Sequence, residues 1–265
     1  MAVNTYIVEQ VFGYFGLVMW SFQLVPQVYK SYRRKTTEGV SPWAMLIWAL
    51  SGVFLGNYNI GVQVAIPLIV QPQLFSFLAY VCLGQELYYR YHWNGWRSAA
   101  AFAFLCLASG GLEVGLVFGY WAADHHHYKQ VIDFFGLLPV VAILVGFVPQ
   151  YWSIARKRRV EGISHVFLGM DCLGSIFSGI SLAFRNEIDA LTLVNYLSIA
   201  VLDLGIIFLY YVFKWWNDRK TKRQPSTMTQ QQHQQFPDET TTTTTLGQDD
   251  AAEKGFSFRV AAATH

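Results

Sequence analysis

The chain has 265 residues and a formal net charge of +2; 53% of its residues are hydrophobic and 14% charged. Ordinary soluble domains carry about 45–50% apolar and about 25% charged residues, so a soluble globular class is excluded. The apolar excess is concentrated in seven continuous segments, 7–29, 43–63, 65–89, 98–122, 131–154, 165–184 and 190–215.

A helix needs ~20 residues to cross ~30 Å of hydrocarbon, and inside lipid the backbone must satisfy its own hydrogen bonds. A β-barrel would read as short alternating segments, whereas these runs are continuous. The predicted class is an all-α membrane protein with seven transmembrane helices.

Segment 1 is long, lacks a basic leader and ends in a polar, basic loop, so it is read as a retained helix rather than a cleaved signal. It closes on "FQLVPQVYKSYRRKTTEGVS" at 22–41. A proline inside a helix removes a backbone bond at a cost of ~3 kcal/mol, and in lipid the freed carbonyl needs another partner. Gln27, directly after Pro26, carries amide donors, so the pair is read as a hinge with a polar latch. A fixed bend is the plainer alternative.

Segment 2 holds Phe54 and the close-packing spacing Gly52-x-x-x-Gly56. Segment 3 holds Pro67, Pro72 and Gln73 and ends in Tyr88-Tyr89. Segment 4 carries Glu113 and Gly115-x-x-x-Gly119, and is followed by Asp124-His125-His126-His127, read as a solvated loop.

Segment 5 contains Pro139 and ends in "VGFVPQYWSIARKRRVEGIS" at 145–164, which places Pro149 and Gln150 as a second hinge pair. Segment 6 contains Asp171, Phe177 and Ser175-x-x-x-Gly179; segment 7 contains Asn195 and Asp203. Cys82, Cys106 and Cys172 all lie within apolar segments and are read as small apolar fillers. No metal-ligand set, disulfide framework or cofactor motif is expected. From about Asn217 onward the sequence is polar and of low complexity, the composition of a disordered cytosolic tail.

Lys30, Arg33, Arg34 and Lys35 follow segment 1, Arg90 and Arg97 follow segment 3, and Arg156 to Arg159 follow segment 5. A further cluster from Lys214 to Arg223 follows segment 7, while the other face carries Lys129 and Arg185. The positive-inside rule then places the N-terminus in the lumen and the C-terminus in the cytosol. The basic loops are read as topological anchors, with no nucleic-acid partner.

Laying Val25 on Val148 superimposes Val-Pro-Gln, Arg33 on Arg156, Glu38-Gly39 on Glu161-Gly162 and Ser41 on Ser164 without a gap. The register continues through Leu50, Phe54 and Gly56 onto Leu173, Phe177 and Gly179, and after one deletion pairs Gln73 with Asn195. Segments 1–3 and 5–7 are therefore two copies of one three-helix unit, and segment 4 is the odd helix that lets both copies keep one orientation. The expected organisation is residues 1–92 as the first repeat, 93–128 as a linker helix and lumenal loop, 129–216 as the second repeat and 217–265 as the tail.

Paired Pro-Gln segments in this setting resemble the PQ-loop repeat family over about residues 7–215. That family includes cystinosin, the vacuolar and lysosomal cationic amino-acid transporters and, more distantly, the SWEET sugar carriers, a parallel-repeat case. The Gln-containing third segment ending in Tyr-Tyr is similar to the vacuolar and lysosomal branch. The cationic amino-acid carriers have Gly-Asp in their second and sixth helices. Here those places read Ser51-Gly52-Val53 and Gly174-Ser175, which weighs against a lysine or arginine substrate.

The resemblance implies proton-coupled export of a small polar solute, such as an amino acid, from a vacuole or lysosome by alternating access. Gln73 and Asn195, with Phe54 and Phe177, are the expected solute contacts. Asp171 and Asp203 are the expected proton-coupling groups, because a charged carboxylate at a helix centre costs ~2.5–3.5 kcal/mol on insertion scales. The expected partners are a small polar solute, protons and the lipid bilayer, with a homo-oligomer left open. The alternatives are a non-transporting receptor or regulator of lipid or cargo traffic, as in the similar helical plan of the KDEL receptors, or a sugar carrier. No phosphate loop, metalloprotease signature or nucleophile elbow points to an enzyme.

Overall fold

In the computed structural model, residues 4–37, 41–158 and 165–222 are described. They form helices α1 (Thr5–Gln23), α2 (Val25–Arg34), α3 (Pro42–Val62), α4 (Ile66–Tyr89), α5 (Gly95–His125), α6 (Lys129–Lys157), α7 (His165–Ala183) and α8 (Ala190–Lys222). With α1 and α2 together counted as one span, seven helices are long and apolar enough to cross a membrane. No strand occurs among the described residues. α8 continues to Lys222, past the composition change at Asn217. The tail expected beyond it lies outside the described residues, as do the Glu-Gly pairs of both loops.

The repeat is visible in the backbone. The first span of each copy ends on a basic residue in the left-handed region, Lys35 with φ of 53° and Arg158 with φ of 51°, and these two positions correspond in the repeat register. α4 packs against both α1 and α3. In the second copy, α8 reaches both partners: Tyr151 of α6 donates to the Leu202 carbonyl at 2.6 Å, and the Cys172 thiol of α7 lies 4.0 Å from the Ala200 carbonyl.

Between copies, α1 packs on α7 and α3 packs on α6. The first helix of each unit thus meets the second helix of the other, as a pseudo-twofold axis along the membrane normal requires. α5 packs against α3, α4 and α6. The small-residue spacings behave unequally. A Cβ added at Gly52 or Gly56 would collide with Ser76, or with Gln73 and Glu113, whereas one at Gly115 would meet open space. The close-packing reading of Gly115 is corrected accordingly: that residue stands on a face of α5 with no neighbour within 4 Å of an added Cβ.

The two Pro-Gln pairs also differ. Around Pro26 the helix is interrupted, with α1 ending at Gln23 and α2 restarting at Val25, so the proline falls in a first turn where its missing N–H is not needed. Around Pro149 the helix is unbroken from Lys129 to Lys157.

Pro72 and Pro139 lie inside helices as well. Pro72 leaves the Leu68 carbonyl without its helical partner. The amide of buried Asn59, on α3, donates to that oxygen at 2.8 Å and to the Tyr196 hydroxyl at 3.1 Å, while Tyr196, on α8, lies 3.4 Å from the same carbonyl. Near Pro139, Asn195 of α8 donates to the Gly136 carbonyl of α6 at 3.1 Å and so ties the two helices together. Removing such a donor leaves a buried acceptor short of a partner, at about 1–3 kcal/mol. Asn59→Ala should therefore lower the unfolding free energy by about 1–2 kcal/mol in detergent micelles, read by chemical or thermal unfolding of the purified protein. An unchanged midpoint would show that the carbonyl is satisfied without Asn59.

Candidate functional site

A cavity lies between the two units. Every helix of both repeats contributes to its wall: α1 through Trp20, α3 through Trp48, α4 through Phe75, α6 through Phe147, α7 through Asp171 and α8 through Ile199. Its volume is about 40 Å³, enough for a few water molecules by the ~10–15 Å³ criterion for one. A solute larger than water enters only as the units part. Trp48 and Asp171 occupy corresponding positions of the two repeats, so the pseudo-twofold axis runs through this space.

The two tryptophans set the spacing of the wall, and glycines of the opposite unit receive them. A Cβ at Gly174 would collide with the Trp20 ring, and one at Gly146 with the Trp48 ring. The Trp20 indole N–H donates to the Asp171 carbonyl at 3.3 Å. Trp20 and Phe75 have ring centroids 5.7 Å apart, and Trp48 and Phe147 are 5.9 Å apart. Phe167 is stacked on Trp48 at 5.8 Å with an interplanar angle of 14°. Phe167 and Asp171 are one helical turn apart on α7 and share the face turned to the cavity.

Asp171 and Asp203 are brought together. Asp171 is 7% exposed and Asp203 fully buried, and their carboxyls interact across the contact between α7 and α8. The amide of Gln23, buried on the last turn of α1, faces the Asp171 carboxyl without forming a full hydrogen bond. Among the described residues neither carboxyl is paired with a base. Two acids so placed are expensive inside a membrane and are a functional signal by default.

The other expected residues stand away from this cavity. Gln73 hydrogen-bonds Glu113 of α5. Asn195 donates to the carbonyls of Gly136 and Leu191. Phe177 packs against Phe12 and Phe15 of α1, with centroids 6.1 and 5.7 Å away, and Phe54 is half-buried on α3. The Gln27 amide donates to the Ser31 hydroxyl one turn along its own helix at 3.0 Å, while Gln150 is half-buried just past Pro149. Trp20 and Phe75, which line the cavity, and Gln23, which faces Asp171, are residues that the sequence reading does not single out, whereas Trp48 is the repeat equivalent of Asp171. A tryptophan in an apolar run carries no mark of its role. The amide of Gln23, a polar group in the apolar run before Pro26, is the signal the sequence carries.

A family model described as PQ loop repeat matches residues 8–68 and 131–191. An uncharacterized protein of Schizosaccharomyces pombe is 37% identical over 203 residues, 77% of this chain and 71% of the relative. An uncharacterized membrane protein of Saccharomyces cerevisiae is 31% identical over 201 residues, covering 75% of this chain and 64% of its own. Cystinosin of Drosophila melanogaster is 22% identical over 192 residues, covering 63% of this chain and 46% of that protein. The match thus spans under two thirds of the budding-yeast relative and under half of cystinosin.

The fit of Trp20 on Gly174 predicts a graded effect of side-chain volume. Gly174→Leu should insert normally but lose about 1–3 kcal/mol of stability through overpacking and shift tryptophan emission to the red. Gly115→Leu, facing open space, should stay within about 0.5 kcal/mol of the native protein. Equal behaviour of the two variants in thermal unfolding would contradict the seating of Trp20.

Proposed function

This chain belongs to the PQ-loop repeat family, and from that premise we propose that it is a proton-coupled secondary carrier. It moves a small polar solute of amino-acid size out of a vacuole or lysosome by alternating access. The observation that carries this reading is the cavity walled by all six repeat helices, with an acid pair reaching it through Asp171.

The end of the bundle where α1 begins is closed by hydrogen bonds between the units. Tyr58 donates to Asp189 at 3.2 Å, Arg185 to the Val62 carbonyl at 2.9 Å and Ser181 to the Glu9 carbonyl at 2.7 Å. Under the positive-inside assignment this is the lumenal end. Opening it means parting these contacts while the units rock about the Trp20 and Trp48 seats, with the break before Pro26 letting α2 move apart from α1. Gln73 and Asn195 brace the third helices of the two units, and Phe54 and Phe177 fill helix contacts beside the path.

The proton step rests on Asp171 and Asp203. Two carboxylates at ~4 Å repel by about 4 kcal/mol at an effective dielectric of 20, and one shared proton removes that repulsion. The groups around the pair are Gln23 from α1, Cys172 from α7 and Tyr151 from α6. A proton taken from an acidic lumen leaves the pair one shared negative charge and favours the occluded cavity; its loss to the cytosol restores the repulsion and favours hydration. Stability of the occluded form is thus present at low pH and lost as pH rises.

In proteoliposomes with an imposed pH gradient, Asp203→Asn, outside the cavity wall, should keep solute exchange but lose about tenfold of the gradient-driven rate, corresponding to ~1.4 kcal/mol of coupling. Full gradient response in both Asp171→Asn and Asp203→Asn would overturn the proton role of the pair. Orientation has its own test. With Cys82, Cys106 and Cys172 replaced by Ala, a cysteine placed at His126 should react with an impermeant maleimide only after sealed vesicles are opened. Labelling of intact vesicles with the cytosolic face outward would reverse the assignment.

A further inference from the structure

Resting on the carrier reading above, we infer that the cavity is an aromatic cage for an organic monocation, a compact amine or quaternary ammonium. The wall presents five aromatic rings, those of Trp20, Trp48, Phe75, Phe147 and Phe167, with the single carboxyl of Asp171 among them. A cation within about 6 Å of an aromatic face is held by the ring quadrupole, most strongly by tryptophan, and the attraction grows when the site is dry. A carboxylate in the same wall supplies the counter-charge that makes burial of the cation affordable.

Other solute classes leave something unmatched. Among the described residues no Lys, Arg or His lines the cavity, so the carboxylate of a zwitterion finds no partner there. A sugar needs several donors and acceptors. The remaining polar groups in the wall are the Ser51 hydroxyl, whose proton goes to the Ile47 carbonyl at 2.8 Å, and the indole N–H of Trp48, which has no partner. Each buried hydroxyl left unmatched costs about 1–3 kcal/mol. A wholly apolar solute leaves Asp171 uncompensated.

The closed cavity, about 40 Å³, admits a head group only once the units part. Phe167, stacked on Trp48, lies on the same face of α7 as Asp171, so a ring of the cage and the carboxyl that receives the charge are carried by one helix.

The test is equilibrium binding of labelled choline to the purified full chain in nanodiscs, with unlabelled competitors. Tetramethylammonium should displace the label. The neutral isostere 3,3-dimethylbutanol, the zwitterion betaine, glucose and alanine should each be at least tenfold weaker. Trp48→Leu and Asp171→Asn should each lower choline affinity tenfold or more, and Trp48→Phe should restore most of it. Phe147→Leu serves as the second cage variant if Trp48→Leu does not fold.

Displacement by the neutral isostere as effective as by tetramethylammonium would sink the inference, as would no choline binding at all. If alanine or glucose is moved across proteoliposomes while choline neither binds nor competes, the carrier reading stands and the cage falls. If choline binds with the stated selectivity but is never moved across, the cage stands and the carrier reading falls.

Discussion

A carbonyl that has lost its helical partner inside lipid must be hydrogen-bonded by another part of the protein, because no solvent is there to do it. The bundle is organised around that demand. Pro72 frees the Leu68 oxygen, and the answer comes from Asn59 on a neighbouring helix of its own unit and Tyr196 on a helix of the other. Asn195 of α8 likewise reaches a main-chain oxygen of a neighbouring helix, the Gly136 carbonyl of α6. The proline that would weaken an isolated α4 therefore becomes a point where that helix is pinned to its surroundings. Tyr196 extends the chain of dependence, since its ring also packs on Trp20 at 5.7 Å, which joins the proline site to the cavity wall.

Contacts between the units fall into two chemically distinct layers. Near the start of α1 they are polar and directional, made by Tyr58, Arg185 and Ser181. At the depth of the cavity they are aromatic and seated on glycine, with Trp20 on Gly174 and Trp48 on Gly146. Hydrogen bonds can be exchanged for bonds to water wherever water has access, whereas rings seated against backbone have no such substitute.

Much of the fold was legible because lipid imposes simple rules. Segment lengths, the Lys and Arg distribution and the gapless Val-Pro-Gln register gave seven helices in two copies. Asp171 and Asp203 were legible as candidates because a charge in an apolar run is costly wherever it points. What could not be read were pairings between distant helices. Gln73 and Asn195 correspond in register, yet α5 packs along α3 and α4 and its Glu113 captures Gln73, while Asn195 is spent on α6. The linker helix breaks a symmetry that the alignment alone suggests. The Pro-Gln pairs carry the same lesson. Identical Val-Pro-Gln triplets give an interrupted helix in one copy and an unbroken one in the other, because the surroundings differ: Gln85 of α4 holds the Val28 carbonyl of α2 at 3.1 Å, whereas the second copy places Tyr151 at the position matching Val28 and ties it to α8.

The correspondence of Trp48 with Asp171 reaches back to how such a chain arises. Two separate three-helix subunits pairing about a true twofold axis would be bound to place identical side chains on either side of it. An acid there would face its own copy and a ring its own copy, and neither arrangement puts an indole and a carboxylate into one cavity. Joining the copies in a single polypeptide removed that obligation. Each half is then free to vary alone, and corresponding positions carry two unlike groups in the wall of one cavity. Covalent fusion thus gave this protein something that no homodimer of its half could have: a chemically lopsided centre inside a nearly symmetric frame.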